Sequence, residues 1–461
     1  MTLRYLLTSG MLCLLGYASA YAQNKVYSLE QLWQKTIINY PSLSAKRKLV
    51  EQKQLQKELI TRDRLPGINM QAQQSYGSFQ GIGGAFFPLS GIYNTSAYKT
   101  GAGQPRAASN LSVSTVLQWD LIQFGKLRER INEADADIAL GNATLAGEVL
   151  QLQETGTRYY FNVLQAKALH AMARADSARL EHLYQLSRAQ AEAGLRPGAD
   201  TMLVSSTFLQ AGGEINEQQG LLETARIQLA VLIGEEEHNF SIDTTLYHNT
   251  LRNTVAASPD SLLVNPYIDF LKAKVDRSKA ALRVIQKDVF PTIGLLAGAG
   301  VRGSGLTTTG TVDNSLLAPW QSNAGSYLVG IGLTWNLSRL YKNKVQQKIA
   351  QTEIDAANAD HEEMILQLIT SYKTALARWN QQVQKLKDAH SAYNASKEAY
   401  DLYLSRYENG LVSMIELLQL QKTLQDAERY YVRAIAGYWN ERINQSVSTG
   451  DFTSLLREMN P

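Results

Sequence analysis

The sequence predicts an α+β protein in which very long α-helices are combined with four β-strands of membrane-spanning length, in a chain that contains two copies of one unit. Three observations predict this class. Proline is absent from residues 106–196 and 320–460, apolar and polar residues alternate in four segments, and several motifs recur at fixed offsets. Proline breaks helices, so its absence permits long uninterrupted ones, and the alternation is typical of half-buried strands.

The first 22 residues have the pattern of a secretory signal peptide. Arg4 precedes a short apolar run at residues 5–16, and small residues at 18–22 provide a cleavage site. The only cysteine, Cys13, lies in this segment, so the mature chain is expected to have no disulfide, thiolate nucleophile or cysteine metal ligand. No later segment has about 20 consecutive apolar residues, which leaves an exported protein that is either soluble or a β-barrel.

Two segments predict helices far longer than those of globular proteins. From residue 127 to 163, apolar or small residues recur at steps of three and four, which is the stripe of a coiled-coil-like helix. Residues 342–406 repeat this pattern. A helix of about 65 residues is on the order of 100 Å long at 1.5 Å per residue. Such helices are not expected to surround a compact globular core.

Ordered landmarks predict an internal structural duplication. They pair in chain order as Pro41 with Pro266, Pro66 with Pro291, Trp119 with Trp335 and Gly194 with Gly410. The proline pairs share an offset of 225 (266 − 41 and 291 − 66), and the later pairs share an offset of 216 (335 − 119 and 410 − 194). The second copy therefore has nine fewer residues than the first between its second proline and its tryptophan (225 − 216). A surface loop tolerates such a deletion best.

These offsets define the expected domain organisation. The predicted segments are a first repeat at 23–233, a linker at 234–265, a second repeat at 266–445 and a C-terminal tail at 446–461. Each repeat is expected to contain a shorter helix, two strands and a long helical hairpin. The hairpin tips are predicted at about 191–200 and 407–416.

Strands are predicted at about 66–80, 108–120, 291–301 and 325–337, each apolar on one face and small or polar on the other. The loops within the two pairs, 81–104 and 302–325, are rich in Gly, Ser, Thr and aromatic residues. A half-buried sheet of a soluble protein has the same alternation. Four strands cannot close a barrel. If the strands span a membrane, two or three chains must therefore share one barrel, which would have eight or twelve strands.

Taken together, the duplicated proline segments, the tryptophan strand ends and the two glycine-centred tips resemble the TolC-like outer-membrane efflux proteins. The resemblance implies a homotrimer with a 12-stranded β-barrel in outer-membrane lipid and a periplasmic α-barrel of 12 helices, in a Gram-negative bacterium. An equatorial belt would come from residues 23–40, 234–265 and the C-terminus. The hairpin tips would dock a periplasmic adaptor protein (membrane fusion protein) that is joined to an inner-membrane pump of the RND, ABC or MFS type.

The resemblance also implies a periplasmic gate. Asp200 and Glu416 each lie six positions after a tip glycine, where the family has its acidic constriction, and Tyr407 matches a tip tyrosine that can hydrogen-bond between helices. This chain departs from the family pattern at Gln419, where a second acid is common, and at Val412, where a basic residue is common.

The same residues also have purely structural interpretations. Ser413 and Glu416 form the sequence pattern of a helix capping box, and Pro197 lies at the equivalent helix start (413 − 216). The candidate adaptor-docking tips are Gly194, Leu195, Gly410, Leu411, Val412 and Ser413. The aromatic residues near strand ends, either core residues or an aromatic girdle at the membrane interface, are Tyr76, Trp119, Tyr327 and Trp335.

No enzyme is predicted. The six histidines form no close pair on a helical face, and the segment that begins at His361 lacks the second histidine of a zinc-protease helix. No phosphate-binding loop or paired catalytic carboxylates stand out, so no cofactor or metal is expected. The 45 basic residues nearly balance the 42 acidic ones, which indicates no nucleic-acid partner.

The predicted function is a passive exit duct for an efflux or type I secretion machine, with energy supplied by the pump. The alternative is an exported coiled-coil structural or adaptor protein without a barrel of its own, which would lack the four alternating strands. The exported substrate is not encoded in any motif of the chain.

Overall fold

A computed structural model describes residues 25–78, 107–236, 240–244, 265–305 and 311–459. The predicted signal peptide, the loop at 81–104 and much of the predicted linker lie outside the described residues. The chain divides into two compact units. Unit 1 comprises Met1–Leu49, Asn142–Lys272 and Ala359–Pro461, and unit 2 comprises Val50–Gly141 and Ala273–Asn358.

The fold is mostly helical, with two small sheets. Its strands are β1 (Lys25–Tyr27), β2 (Gly67–Ser78), β3 (Ala107–Ile122), β4 (Phe240–Ile242), β5 (Thr292–Ser304) and β6 (Asn323–Thr334). Its helices are α1 (Leu29–Asn39), α2 (Pro41–Arg62), α3 (Lys126–Glu192), α4 (Gly198–Ile233), α5 (Pro266–Lys287), α6 (Ala318–Gln321), α7 (Arg339–Glu408), α8 (Met414–Thr449) and α9 (Thr453–Met459).

Helices α3 and α7 have 67 and 70 residues, so each is on the order of 100 Å long. Each is followed by a 36-residue helix, α4 or α8, which completes a hairpin. A helix this long is stabilised chiefly by packing of its apolar stripe against a neighbour. None of the helices within the described ranges is both long and apolar enough to cross a lipid bilayer.

In the main core of unit 1, residues from both ends of the described chain pack against the hairpin helices. The indole of Trp33 in α1 donates to Thr157 Oγ1 of α3 over 3.1 Å, and Phe452, just before α9, meets the same indole edge-on at 5.3 Å. Farther along α3, Phe161 stacks on Trp439 of α8 at 4.8 Å. Strand β1 pairs in parallel with β4 beside this core. Segments 25–40 and 452–459 therefore share one core, although they are distant in sequence.

A buried ion pair fixes α9 on α8. Arg442 and Glu458 lie 2.7 Å apart, and their side chains are 0% and 3% exposed. The guanidinium of Arg442 also lies over the Trp379 ring, 5.6 Å from its centroid. Helix α8 extends to Thr449, past the predicted end of the second repeat at position 445.

Each hairpin ends at a glycine with left-handed backbone. Gly234 (φ 70°) caps α4 and Gly450 (φ 72°) caps α8, and the two positions again differ by the offset of 216 (450 − 234). An asparagine amide meets each helix end: Asn39 donates to Ile233 O over 3.3 Å, and Asn265 donates to Val447 O and Ser448 O over 2.9 and 3.0 Å. These bonds satisfy carbonyls that have no partner within a helix.

Unit 2 contains an antiparallel sheet of order β2-β3-β5-β6. The register places one apolar row beside another, because directly paired residues share a face. Successive rows across the four strands are Ile68–Leu117–Ala297–Val329, Met70–Thr115–Ala299–Tyr327 and Ala72–Val113–Val301–Gly325. Rows on the opposite face include Gln71–Ser114–Gly300–Ser326 and Gln73–Ser112–Arg302–Ala324. One face is thus mostly apolar. The other is mostly small or polar, although it also carries Val116, Leu296 and Leu328.

The two tryptophans at the strand ends make the same contact in each half. The indole of Trp119 donates to Arg64 O over 2.7 Å, and that of Trp335 donates to Val289 O over 3.0 Å. The tryptophans differ by the offset of 216 (335 − 119), and the acceptors differ by the offset of 225 (289 − 64). Within the predicted loop at 302–325, the described residues form the end of β5, helix α6 and the start of β6, and residues 306–310 lie outside the described residues.

Gly450→Ala is expected to destabilise the protein more than Gly194→Ala. Both glycines have φ near +70°, so alanine brings a similar backbone strain of about 1–2 kcal/mol to each. A Cβ at position 450 lies 2.8 Å from Pro266 Cδ, whereas a Cβ at position 194 has no neighbour within 4 Å. Thermal unfolding in detergent, followed by circular dichroism, should give the larger fall in Tm for Gly450→Ala. Equal shifts would contradict the packing argument.

Candidate functional site at the hairpin tips

The two hairpin tips turn with the same backbone geometry. Gly194 and Gly410 have φ values of 71° and 77°. At the first tip, Leu195 N–H donates to Gln190 O over 2.9 Å, and at the second, Leu411 N–H donates to Arg406 O over 2.9 Å. This i to i−5 bond with a left-handed glycine is the Schellman motif, which ends a helix and reverses the chain. Both turns could be predicted from the sequence, because only glycine adopts this left-handed backbone without strain.

The helices that follow the tips begin differently. Ser413 caps α8: its hydroxyl accepts from Glu416 N–H, while the Glu416 carboxylate accepts from Ser413 N–H over 2.7 Å. These hydrogen bonds hold the pKa of Glu416 below its ordinary value. At the other tip Pro197 is the N-cap residue, at the position equivalent to Ser413 as expected, and it makes no side-chain cap.

Arg196 joins the two tips of one chain. Its Nη2 donates to Val412 O over 3.1 Å, and its guanidinium carbon lies 5.2 Å from the centroid of the Tyr407 ring. Positions 196 and 412 differ by the same offset of 216 as the tip glycines (412 − 196 = 216). Val412 stands where a basic residue is common in the family, and the basic residue Arg196 at the matching position of the first tip was not predicted from the sequence. The fixed offset was the signal that could have found it.

Tyr407 is fully buried beneath this contact. Burial raises the pKa of its hydroxyl, and Arg196 and the Ser187 hydroxyl of α3 partly oppose that shift. The Tyr407 hydroxyl makes no hydrogen bond of standard geometry within the described residues, so its hydrogen bond between helices stays a prediction. Around it the two hairpins share an apolar cluster. Its buried residues are Leu180, Leu183, Val204, Ala211, Tyr400, Tyr407, Met414, Leu417 and Leu424.

Unlike the buried Tyr407, the other three candidate gate residues remain accessible near the tips. Glu416 and Gln419 are exposed, and Asp200 in the first turn of α4 is half-buried. No hydrogen bond or ion pair among the described residues joins Asp200 to Glu416. A role for either acid in a ring would therefore depend on other copies of the chain. No group of three or more His, Cys, Asp or Glu in the described part of the chain could hold a metal ion.

The tips also expose apolar side chains. Leu195 and Leu411, each directly after its glycine, are 74% and 73% exposed, while Val412 is half-buried against the shared cluster. Large exposed apolar side chains at matched positions are suited to contact with a partner.

The four candidate girdle residues are all exposed on the sheet of unit 2, but they differ in position. Trp119 lies near the end of β3, Trp335 follows β6 directly, and Tyr76 lies near the end of β2. Tyr327 lies farther inside the sheet, where it pairs with Ala299. The two tryptophans have their indole N–H groups bonded to backbone, so each presents its apolar ring.

Solved structures of bacterial outer-membrane channels have this fold. The outer membrane protein VceC from Vibrio cholerae superposes with a TM-score of 0.72 at 14% identity, over 92% of this chain and 96% of that one. The CmeC channel from Campylobacter jejuni gives 0.71 at 15% identity, over 94% and 89%. The MtrE channel from Neisseria gonorrhoeae, in its open state, gives 0.68 at 19% identity, over 92% and 89%.

The class of protein is therefore that of outer-membrane channels with long helical hairpins. A sequence model of the outer membrane efflux proteins matches residues 32–235 and 258–443, and the chain belongs to that family. No curated protein sequence matches the chain. The resemblance inferred from the repeated motifs is confirmed, and the family consists of channel proteins, not enzymes.

Arg196→Ala is expected to loosen the contact between the two tips. The variant loses one hydrogen bond and one cation–π contact, together about 1–2 kcal/mol, so tip amides should exchange with solvent roughly 5- to 30-fold faster. Hydrogen exchange by mass spectrometry over residues 405–415 measures this. The matched control is Arg188→Ala, because Arg188 is exposed and its ion pair is with Glu192 of its own helix. Equal protection in both variants would show that Arg196 does not hold the tips together.

Proposed function

We propose that this protein is the outer-membrane exit duct of a tripartite efflux or type I secretion system. Membership of the outer membrane efflux protein family supports an efflux duct in the outer membrane of a Gram-negative bacterium. The observation that carries the proposal is the sheet of unit 2, with one apolar face in register across four strands. Its strands have 12, 16, 13 and 12 residues, more than the 9–11 or so that a tilted membrane strand needs.

The sheet edges determine the proposed assembly. Strands β2 and β6 each have one edge unpaired in the four-stranded sheet, and lipid offers no partner for backbone N–H and C=O groups. The sheet must therefore close through other copies of the chain. Two copies give a barrel of about eight strands, and side chains fill the interior of a barrel of that size. Three copies give about twelve strands and leave a water-filled lumen. The polar face, with Gln71, Gln73 and Ser112, suits that lumen, so a homotrimer is favoured.

An internal duplication is part of the proposal. It is supported by the equivalent indole contacts of Trp119 and Trp335 and by the matched tip glycines, all at the offsets found in the sequence. Two strands and one helical hairpin per repeat then give a trimer six hairpins. The hairpins would form the periplasmic part of the duct, and their tips its entrance.

The proposed partners follow from this arrangement. Leu195 and Leu411, exposed beside their glycines, would dock a periplasmic adaptor protein, which connects the duct to an inner-membrane pump of the RND, ABC or MFS type. The duct conducts what the pump delivers and uses no energy of its own. Trp119 and Trp335 would anchor the barrel at the membrane interface.

The full-length protein is expected to be extracted from outer membranes only with detergent, as a trimer that dissociates on heating, and to form conducting channels in planar lipid bilayers. A closed barrel resists detergent because every strand edge is paired. A monomer recovered from the soluble periplasmic fraction without channel activity would overturn the proposal and favour an exported coiled-coil protein.

Glu416→Gln combined with Asp200→Asn is expected to shift ion selectivity. Three copies of each carboxylate at the entrance would favour cations, so the cation-to-anion permeability ratio should fall at least about twofold in the double variant. Reversal potentials in a salt gradient measure this ratio. Asp426→Asn is the control, because Asp426 is exposed and paired with Lys422 of the same helix. An unchanged ratio in the double variant would mean that Glu416 only caps its helix.

A further inference from the structure

A layer of polar and charged side chains is buried between the two hairpins, well away from the tips. Asp176 and Arg179 of α3 face Gln421, Gln425 and Glu428 of α8. Asp176 precedes the glycine of its tip by the same interval by which Glu428 follows the glycine of the other (194 − 176 = 428 − 410 = 18). Asp176 and Glu428 are thus each about 27 Å along their helix from the turn. Gln421 lies closer to the turn than Leu424 of the apolar tip cluster, so the layer adjoins the inner end of that cluster, and the main core of unit 1 lies beyond it.

The contacts in this layer run from one hairpin to the other. Arg179 binds Glu428 through two nitrogens, at 3.1 and 2.8 Å, which is the bidentate geometry of a strong ion pair. Asp176, only 2% exposed, accepts from the Gln421 amide at one oxygen and from Gln425 at the other, over 2.6 Å. Two residues of α3 therefore hold three of α8, over two turns of that helix.

The charges in the layer do not balance. Asp176 and Glu428 share Arg179, the one cation among these five side chains of α3 and α8, so the five together carry one excess negative charge when both acids are ionised. Burial raises the pKa of both carboxyl groups, against the opposing effect of Arg179. Helix α7 adds Lys397, whose charge favours ionised Glu428, and Tyr400, whose phenol has its pKa raised by burial to about 12 and stays neutral.

Two polar atoms of the layer have no partner among the described residues, Arg179 Nε and Gln421 Oε1. The second is an acceptor on the amide whose nitrogen already donates to Asp176. A carboxylic acid and a primary amide can pair through two hydrogen bonds, with the acid hydroxyl donating to the amide oxygen. Uptake of one proton from solvent by Asp176 would therefore supply the missing donor and remove the excess charge.

We propose that this buried layer is a proton-operated latch that holds hairpin α3–α4 against hairpin α7–α8. With Asp176 protonated, the layer is neutral overall and Gln421 is satisfied, so the hairpins stay together. With Asp176 ionised, the excess charge favours separation of the helices, which admits water to the layer. A layer of apolar residues would bind more tightly but would not respond to protons. The latch rests on the proposed duct function only for its consequence, which is closure of the duct at low pH.

The direction of the pH effect follows from linkage. The latched state has the higher carboxyl pKa, so it binds more protons than the separated state. Its stability is greatest below the ordinary carboxyl pKa of about 4 and is lost as the pH rises through the raised value. Each unit of difference between the two pKa values changes the ratio of latched to separated hairpins by about tenfold.

Spin labels at Ala178→Cys and Thr423→Cys report the separation of the hairpins, since both positions are exposed and the only native cysteine is Cys13 in the predicted signal. Distances are measured by pulsed electron paramagnetic resonance on the full-length detergent-solubilised protein between pH 5 and pH 8. We expect a short distance at pH 5 and a growing population of longer distances toward pH 8.

Asp176→Asn mimics the protonated acid, because its amide nitrogen can donate to Gln421 Oε1. It should keep the short distance at every pH. Gln421→Met removes the acceptor and should reduce the pH response even if Asp176→Asn folds poorly. Asp426→Asn, at an exposed pair on the same helix, should behave as the unsubstituted protein. Two results would overturn the latch. One is a pH-independent distance in the spin-labelled protein that retains Asp176, and the other is an unchanged pH response when Asp176→Asn is added to it.

Channel conductance measured over the same pH range separates this proposal from the proposed function. The unsubstituted channel should conduct less at pH 5 than at pH 8, and Asp176→Asn should conduct little at either. If no variant conducts but the distances respond to pH as described, the duct function fails and the latch stands. If channels form with equal conductance at both pH values and distances do not change, the latch alone fails.

Discussion

An apolar sheet with two open edges is the constraint on which the rest of this structure depends. Strands β2 and β6 end the four-stranded sheet with unpaired edges, while one face of the sheet is mostly apolar across all four strands. In water that face favours burial, and in lipid the edges have no hydrogen-bond partners. A single chain satisfies neither requirement. Assembly into a closed barrel satisfies both, which is why the proposed function and the proposed trimer follow from the same feature.

The helical hairpins are held together by a different balance of forces. Apolar packing dominates near the ends of unit 1, where Phe161 stacks on Trp439 and the tips share a buried cluster. Between these regions α3 and α8 meet through charges, with Arg179 bound to Glu428 and Asp176 held by two amides. Charged contacts cost more to bury than apolar ones and depend on protonation. The apolar contacts therefore do not depend on pH, whereas the charged contacts between them do, as the proposed latch requires.

The two hairpins have the same backbone conformation at their turns and ends but different side chains there. Both turn at a left-handed glycine, and both end at another, with the offset of 216 preserved (410 − 194 and 450 − 234). The residues around these glycines differ. Pro197 begins α4 without a side-chain cap where Ser413 caps α8. The single arginine between the tips belongs to the first hairpin and binds the backbone of the second, so the two hairpins have complementary roles.

The sequence by itself determined the classes of elements and their order. Proline-free stretches, period-two segments and glycine turns act locally, through backbone conformation and hydrophobic periodicity, and so identified the long helices, the four strands and both tips. It did not reveal helix α6, whose four residues have no periodicity, or the start of β6 at Asn323. Only the tertiary structure decided which side chains meet across hairpins. Two examples are the contact of Arg196 with the Tyr407 ring and the hydrogen bond from Gln421 to Asp176, which join residues that are far apart in the chain. Such pairs depend on helix register and rotation, because a shift of one residue turns a helical side chain by about 100° and breaks the contact.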